Sequence, residues 1–511
     1  MKTIAIVGGG TAGWLTAHQF LRKISPEIKI VVVSSSQVPV IGVGEGTTGL
    51  FTELIHELFD EKEFLKETES TYKIGIRHSD WDQVGKSFWS PLGDEYSGES
   101  SFPSPDYDDV RVWHIANGLE YDKSFQSRLM AENRLHISNG ESIYTKLHEE
   151  YDGYSIPVAY HLDSHKVGEY LKRKALEKSN CSHVEGKVVA LAQDKDGSIH
   201  HLVLDDDREV EADFYIDCSG FSRILINNIT DNNFVSYDND LLVDSALVFT
   251  RDSRELWYED PKTDIKNYTH AHALKNGWMW EIPTQTRMGC GYTFSSKFTD
   301  KDKAYDELGD VEIKKHITFN SGRIEKHWFK NVLSTGLASG FVEPLEAISI
   351  HATILQNQEF LDNYFKPSLD LNCDAIQEQY NEDVNYMWDN FRDFLVFHYI
   401  SHRRDTDFWI ESSSPERWSP RLTRLMKIWG CRMPRVTDFK IGKSNDFHAM
   451  GNPLWYNIAI GMNILDPVLA LQELNDYGIY DATETHCKNT FDAIEKALPS
   501  MVKTNDYYVH I

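Results

Sequence analysis

The stretch "TIAIVGGGTAGWLTAHQFLRK", residues 3–23, decides the fold. It opens as an apolar strand, turns on glycine and runs on as an amphipathic helix. The segment "EIKIVVVSS" (27–35) then reads as a second strand, rich in Val and Ile as a buried parallel strand should be. The unit is βαβ. Gly8-x-Gly10-x-x-Gly13 sits after the strand and opens the helix, the context a dinucleotide fingerprint requires. Gly8 makes the turn, Gly10 lets the backbone approach a pyrophosphate, and Gly13 packs helix on strand. The helix start at Thr11 and Ala12 then offers oriented N–H donors to phosphate. The plainer alternative is a glycine turn in an α/β fold that holds no ligand. One feature of the fingerprint is missing: the second strand should end in an acid that holds the ribose hydroxyls, and Ser34 stands there. A neutral hydroxyl forfeits the charge-assisted part of that bond, about 1 kcal/mol, so a weakly held, exchangeable dinucleotide is expected. FAD is favoured over NAD, because "YIDCSGF" (215–221) offers a second strand-to-glycine contact at Ser219 and Gly220.

A chain of 511 residues exceeds one ordinary core, which points to two intimate domains. A hydrophobic content of 41% with 12% aromatics suits a globular fold and argues against disorder. The net charge of −27 argues against a general binder of nucleic acid or anionic membrane, since phosphate recognition needs a basic surface. The six cysteines are scattered, with no CxxC pair and no metal-ligand spacing, so reduced structural thiols and no metal are expected. The start "MKTIAIVGGG" enters a strand at once and leaves no room for a signal segment. No apolar run approaches the roughly 18 residues of a membrane span. The expectation is a soluble cytoplasmic protein.

Texture divides the chain. "GKVVALAQDKDGSIHHLVLDDDREVEADFYIDCSG" (186–220) reads as alternating strands around a "DKDGS" turn, followed by a buried strand. Strand character continues to about Phe294. From about Asp374 the texture changes: in "AIQEQYNEDVNYMWDNFRDFLVFHYI" (375–400) apolar residues fall at helical spacing with no Gly or Pro, and the rest of the chain reads as mostly helical. The expected division is 1–370, a Rossmann-like FAD-binding box of the monooxygenase-like GR2 type with inserted sheet segments, and 371–511, a mainly helical domain packed on it. "GWMWEIP" (277–283) places Trp278 and Trp280 on one face of a strand that Pro283 would end. Taken locally, this is strand-edge core.

Several segments, in order, resemble one family. They are "GGGTAGW" (8–14), "GVGEGTT" (42–48), "YKIGIRHSDW" (72–81), "DCSGF" (217–221), "GWMWEIP", "GCGYTFSSKF" (289–298), "GFVEPLEAISI" (340–350) and "RRDTDFW" (403–409). Together they are similar to the flavin-dependent halogenases of the tryptophan-halogenase type over residues 3–465, and "GWMWEIP" matches that family's WxWxIP signature. The resemblance implies that FAD arrives reduced (FADH2) from a separate NAD(P)H-dependent flavin reductase. With O2 and a halide ion it yields hypohalous acid, which crosses a tunnel to Lys73 and halogenates an electron-rich aromatic ring. Lys73 would hydrogen-bond the oxidant or form a haloamine. Glu346 would orient the electrophile or take the proton from the ring. Gly44, Glu45 and Gly46 would belong to a strap against the flavin, and Trp278 and Trp280 to a barrier that keeps organic substrate away from it. The amides of Ile348 and Ser349 would hold halide. Residue by residue, the plainer readings are an exposed strand lysine at Lys73 and a helix-start acid after Pro344 at Glu346. A lysine of ordinary pKa, about 10.4, needs burial to become neutral near pH 7.

Three departures shape the substrate expectation. The family's tunnel motif carries a serine where Ala347 stands, and the side chains at Ile348 and Ser349 differ from the usual Thr and Gly; bromide or iodide is therefore expected to be used better than chloride. Members acting on free tryptophan sandwich the indole with His and Phe, where "FWSPLG" (88–93) has Ser90 and Leu92 flanking Pro91. Their Tyr pair, Glu and Phe-Trp clamp finds no matching Glu or Trp in "FKIGKSNDFHAM" (439–450). Such polar partners discriminate strongly, so an indole, phenol or larger aromatic is expected in place of free tryptophan. Trp455, Trp89, Trp113 and Trp388 are weighed as pocket residues against ordinary aromatic core, and His351 as a proton shuttle against a core histidine. Rival functions are a flavin-dependent aromatic monooxygenase and a non-catalytic flavin-binding protein. A homo-oligomer is left open.

Overall fold

The computed structural model describes residues 1–38, 44–93, 107–118, 124–136, 158–231, 233–252, 265–366, 368, 373–439, 450 and 452–508. The opening βαβ unit is present as read: strand Thr3–Val7, helix Thr11–Lys23 and strand Lys29–Ser34. Its strands lie at the centre of a six-stranded sheet, flanked by Phe214–Asp217 and Val332–Ser334 on one side and Cys181–Glu185 on the other. These pairings are parallel, and both faces are covered. The fingerprint helix packs against the helices Ser164–Leu176 and Ile348–Glu359. That double burial explains the unbroken apolar runs "AIV" and "VVV".

A seven-stranded sheet forms the second layer, in the order Ile313–Thr318, Ser245–Asp252, Arg287–Phe294, Gly277–Pro283, Tyr268–Ala273, Gly75–Ser79, Ser87–Pro91. All pairs are antiparallel except Tyr268–Ala273 with Gly75–Ser79. "GWMWEIP" is the strand Gly277–Pro283 and ends at the proline. It is an interior strand, not an edge: Tyr268–Ala273 and Arg287–Phe294 pair with its two sides. The "DKDGS" turn joins the antiparallel strands Val188–Gln193 and Ile199–Leu204, with Gly197 at φ 83° in the left-handed region glycine tolerates. A small sheet of Glu45–Gly46, Ala159–Leu162 and Thr71–Lys73 ties the two layers.

The helix Asp374–His398 runs 25 residues and buries Trp388, Phe391, Phe394 and Phe397. The later helices interleave with the first part of the chain. Pro467–Asp476 and Tyr480–Ala497 pack on Asp109–Ala116, and Val502–Lys503 pairs with Arg134–Leu135. All six cysteines are free thiols. Among the described residues, no helix is long and apolar enough to cross a membrane.

Candidate active site

The glycine loop is built for close approach. Gly8 has φ 134°, and a Cβ there would lie 2.2 Å from the Cys218 carbonyl oxygen. A Cβ on Gly13 would lie 2.0 Å from the Gly8 carbonyl, and one on Gly9 2.4 Å from Ser34 Oγ. Gly9, an unspecified position of the fingerprint, is therefore crowded as well, against a side chain where Gly8 and Gly13 meet backbone. The helix begins at Thr11 after Gly10, with no side chain capping its first N–H groups. Across the sheet, Gly220 has φ 69° and open space where a Cβ would point. An uncapped helix start facing a glycine cradle fits a dinucleotide pyrophosphate. Ser34 is engaged differently from expectation: its Oγ lies 2.9 Å from His183 Nε2. An acid does stand nearby, at the end of the adjacent strand. Glu185 pairs in register with Ser34 and accepts the Ser36 N–H at 2.7 Å.

The strap reaches the second site directly. Gly42 and Val43 lie outside the described residues, but Gly44 packs on the Gly289 backbone and Glu45–Gly46 forms a strand. Burial pushes the Glu45 carboxyl up to about 7. A Cβ on Gly46 would meet Lys73 Nζ at 3.1 Å. Lys73 ends the strand Thr71–Lys73, is 1% exposed, and donates to the Thr47 carbonyl at 3.1 Å. The exposed-lysine reading is thereby excluded. Burial lowers its pKa to about 8, while the Glu346 carboxylate pulls the other way.

Glu346 stands on a sharp turn. It and Ala347 both have positive φ, 66° and 57°, which non-glycine residues rarely adopt. The turn launches the helix Ile348–Glu359, so Ile348 and Ser349 are its first residues and no side chain caps their amides. The buried Glu346 carboxylate meets two histidines: His398 Nε2 lies 3.0 Å from Oε1, and His78 Nε2 3.7 Å from it. His78 stacks on Phe88, and neither of its ring nitrogens has a hydrogen-bond partner among the described residues. Burial holds it well below the usual histidine range, and therefore neutral.

One row across the sheet joins this cluster to the tryptophans: Phe88, His78, Ala271, Trp280 and Gly291 pair in register. Small residues flank Trp280 because its ring lies over its neighbour; a Cβ on Gly291 would be 2.1 Å from it. Trp278, 5.9 Å from Trp280 between ring centroids, donates from Nε1 to Glu343 Oε1 at 2.9 Å. Tyr399 OH donates to the same oxygen at 2.7 Å. On the opposite face, Arg251 and His272 lie 2.9 and 3.2 Å from the Glu281 carboxylate, and His270 lies 3.6 Å from it.

Ser90 pairs with Ile76 on the inner face of the sheet, the Pro91 carbonyl accepts from Asn457, and the Leu92 N–H donates to Ile74, next to Lys73. Trp455 is buried among Phe394, Phe397, Trp429 and Phe439. Trp89 faces the other side of the sheet, under Arg77. Trp113 packs on Phe491, and Trp388 lies over Gly340. His351 Nδ1 lies 2.8 Å from Thr48 Oγ1 and ties the strap to the helix Ile348–Glu359. The clamp stretch falls outside the described residues at 440–449. Sequence reasoning missed His78, His398 and Glu343. Glu343 stood inside a quoted motif, but nothing local marked its partner.

Residues 3–470 match the family described as tryptophan halogenase. Tryptophan 6-halogenase ThaL from Streptomyces albogriseolus is 30% identical over 435 residues, spanning 80% of this chain and 78% of its own. The structure of SttH, a tryptophan 6-halogenase from Streptomyces toxytricini, superposes with a TM-score of 0.84 at 26% identity over 100% of both chains. Tar14, a tryptophan C-6 flavin-dependent halogenase (chlorinase) from taromycin biosynthesis, gives 0.86 at 27% identity over 100% of this chain and 99% of its own. With its Rossmann-like glycine cradle and buried lysine–carboxylate site, the chain belongs to the tryptophan halogenase family and is a flavin-dependent halogenase.

Proposed function

We propose that this enzyme halogenates an electron-rich aromatic such as an indole or phenol, not free tryptophan, and that it uses bromide or iodide better than chloride. The observation that carries the halogenation reading is Lys73: fully buried, partly neutral near pH 8, held by the strap carbonyl of Thr47 and faced by Glu346. The substrate and halide readings rest on Ser90 and Leu92 and on Ala347, Ile348 and Ser349. FAD, held by Gly8, Gly10, Thr11, Ala12, Gly13, Ser219 and Gly220 and reduced by a separate NAD(P)H-dependent reductase, would supply the oxidation of halide by O2 to hypohalous acid. Lys73 then either donates a hydrogen bond to that acid or, as a neutral amine, takes its halogen and releases water. Glu346 accepts the proton the ring loses. Trp278 and Trp280 exclude the organic substrate from the cradle. The uncapped amides of Ile348 and Ser349 offer a halide two aligned donors. The helical part, 371–511, supplies a wall of the substrate pocket through Trp455.

The test is incubation with FAD, a flavin reductase, NADH, bromide and a panel of indoles and phenols, followed by mass spectrometry. Halogenated product is expected; hydroxylated product would mean a monooxygenase, and no product a flavin-binding protein without catalysis. Lys73→Ala should abolish halogenation and leave flavin oxidation intact. Competition in which chloride is preferred would refute the halide assignment, and saturating turnover of free tryptophan the substrate assignment.

A further inference from the structure

Two distances fix the protons on His398. Its Nδ1 lies 2.8 Å from the Phe394 carbonyl oxygen, which can only accept. Nδ1 therefore carries hydrogen. In a neutral imidazole Nε2 would then present a lone pair, yet it lies 3.0 Å from Glu346 Oε1. Two lone pairs at that separation, buried, repel one another. A proton must lie between them. The pair thus holds one proton more than a neutral imidazole and a carboxylate, and its charge sums to zero wherever that proton sits. The ring is held edge-on against Phe394, 4.7 Å between centroids, so it keeps this orientation.

Three ionisable groups face Glu346: Lys73 on one strand, His78 on the next and His398 on the long helix. His161, behind Lys73, is buried and held neutral by that burial and by the Lys73 charge. Neither His78 nor His161 supplies positive charge. We propose that His398 is a positioning residue for Glu346, which by holding a proton against Oε1 offsets most of the carboxylate's pull on the Lys73 proton and fixes the carboxylate's orientation. The inference rests on the reading of Lys73 and Glu346 as the reacting pair. Its consequence is that the lysine can lose its proton without opposing a bare buried anion.

The ionisation of Lys73 can be followed without turnover, by carbon NMR of the full-length protein carrying lysine labelled at Cε, with Lys73→Met identifying the signal. His398→Gln keeps a hydrogen-bond donor toward Glu346 but cannot bring the charge. Its Lys73 midpoint should rise by about one pH unit, the shift an unscreened carboxylate a few ångströms away produces. Glu346→Gln, in the presence of His398, should leave the midpoint within about 0.3 pH unit of the parent, because the pair is already neutral. A Lys73 midpoint unmoved by His398→Gln, or lowered by about one unit in Glu346→Gln, would overturn the proposal. Either variant alone decides it. Halogenation failing with every ring while these shifts appear would sink the proposed function and leave the electrostatic assignment standing.

Discussion

Trp278 and Glu343, 65 residues apart, are joined by a 2.9 Å hydrogen bond from the indole Nε1 to Oε1. The first acid of "FVEPLE" thus anchors the first tryptophan of "GWMWEIP", and Tyr399 completes the anchor.

Burial pushes the Glu343 carboxyl up to about 7, against two hydrogen bonds that lower it. A carboxyl whose pKa is higher in the folded than in the unfolded chain costs stability as pH rises from about 4.5 to about 7. Glu343→Gln keeps the acceptor for both donors and removes the charge. It should match the parent near pH 4 and exceed it in unfolding free energy by about 3 kcal/mol above pH 7. Urea denaturation across that range checks the difference; a constant offset would refute it.

Lys73 carries the opposite linkage. Its folded pKa, lowered to about 8, means that the charged form resists burial below that pH. Stability contributed here rises with pH between about 8 and 10.5. Lys73→Met should therefore stabilise the protein at pH 7 by roughly 2 kcal/mol, after loss of the bond to Thr47, while abolishing halogenation. Thermal melts at pH 7 and product analysis are the two readouts.

Gly291→Ala tests the barrier. The new methyl would meet the Trp280 ring at 2.1 Å within a paired strand, so the ring must move. We expect a loss of about 1–3 kcal/mol in stability. Halogenated product should fall relative to NADH consumed, measured by oxygen uptake against product.

Gly13→Ala tests the cradle. A methyl 2.0 Å from the Gly8 carbonyl would push the helix off the first strand and spoil the anion site at its start. FAD affinity should fall at least about tenfold, read by quenching of flavin fluorescence, with the fold retained by circular dichroism.

What the sequence determined by itself was everything set by neighbours along the chain. The glycine spacing at 8, 10 and 13, the Val-Ile run of the second strand, the "DKDGS" hairpin and the periodicity of Asp374–His398 are local patterns, and each appears where it was read. Motif order was enough to identify the family. The tertiary structure decided the partnerships. His78, Glu346 and His398 are separated by 268 and 52 residues, and only the register of one sheet and the seating of one long helix bring them together. Gly291 matters because Trp280 lies over it, and Ser34 bonds His183 because a distant strand pairs alongside. The physical reason is that desolvation and hydrogen bonding act at about 3 Å in space, whereas a sequence pattern records only distance along the chain. A lysine's residue type is local, but the loss of its proton depends on what surrounds it after folding.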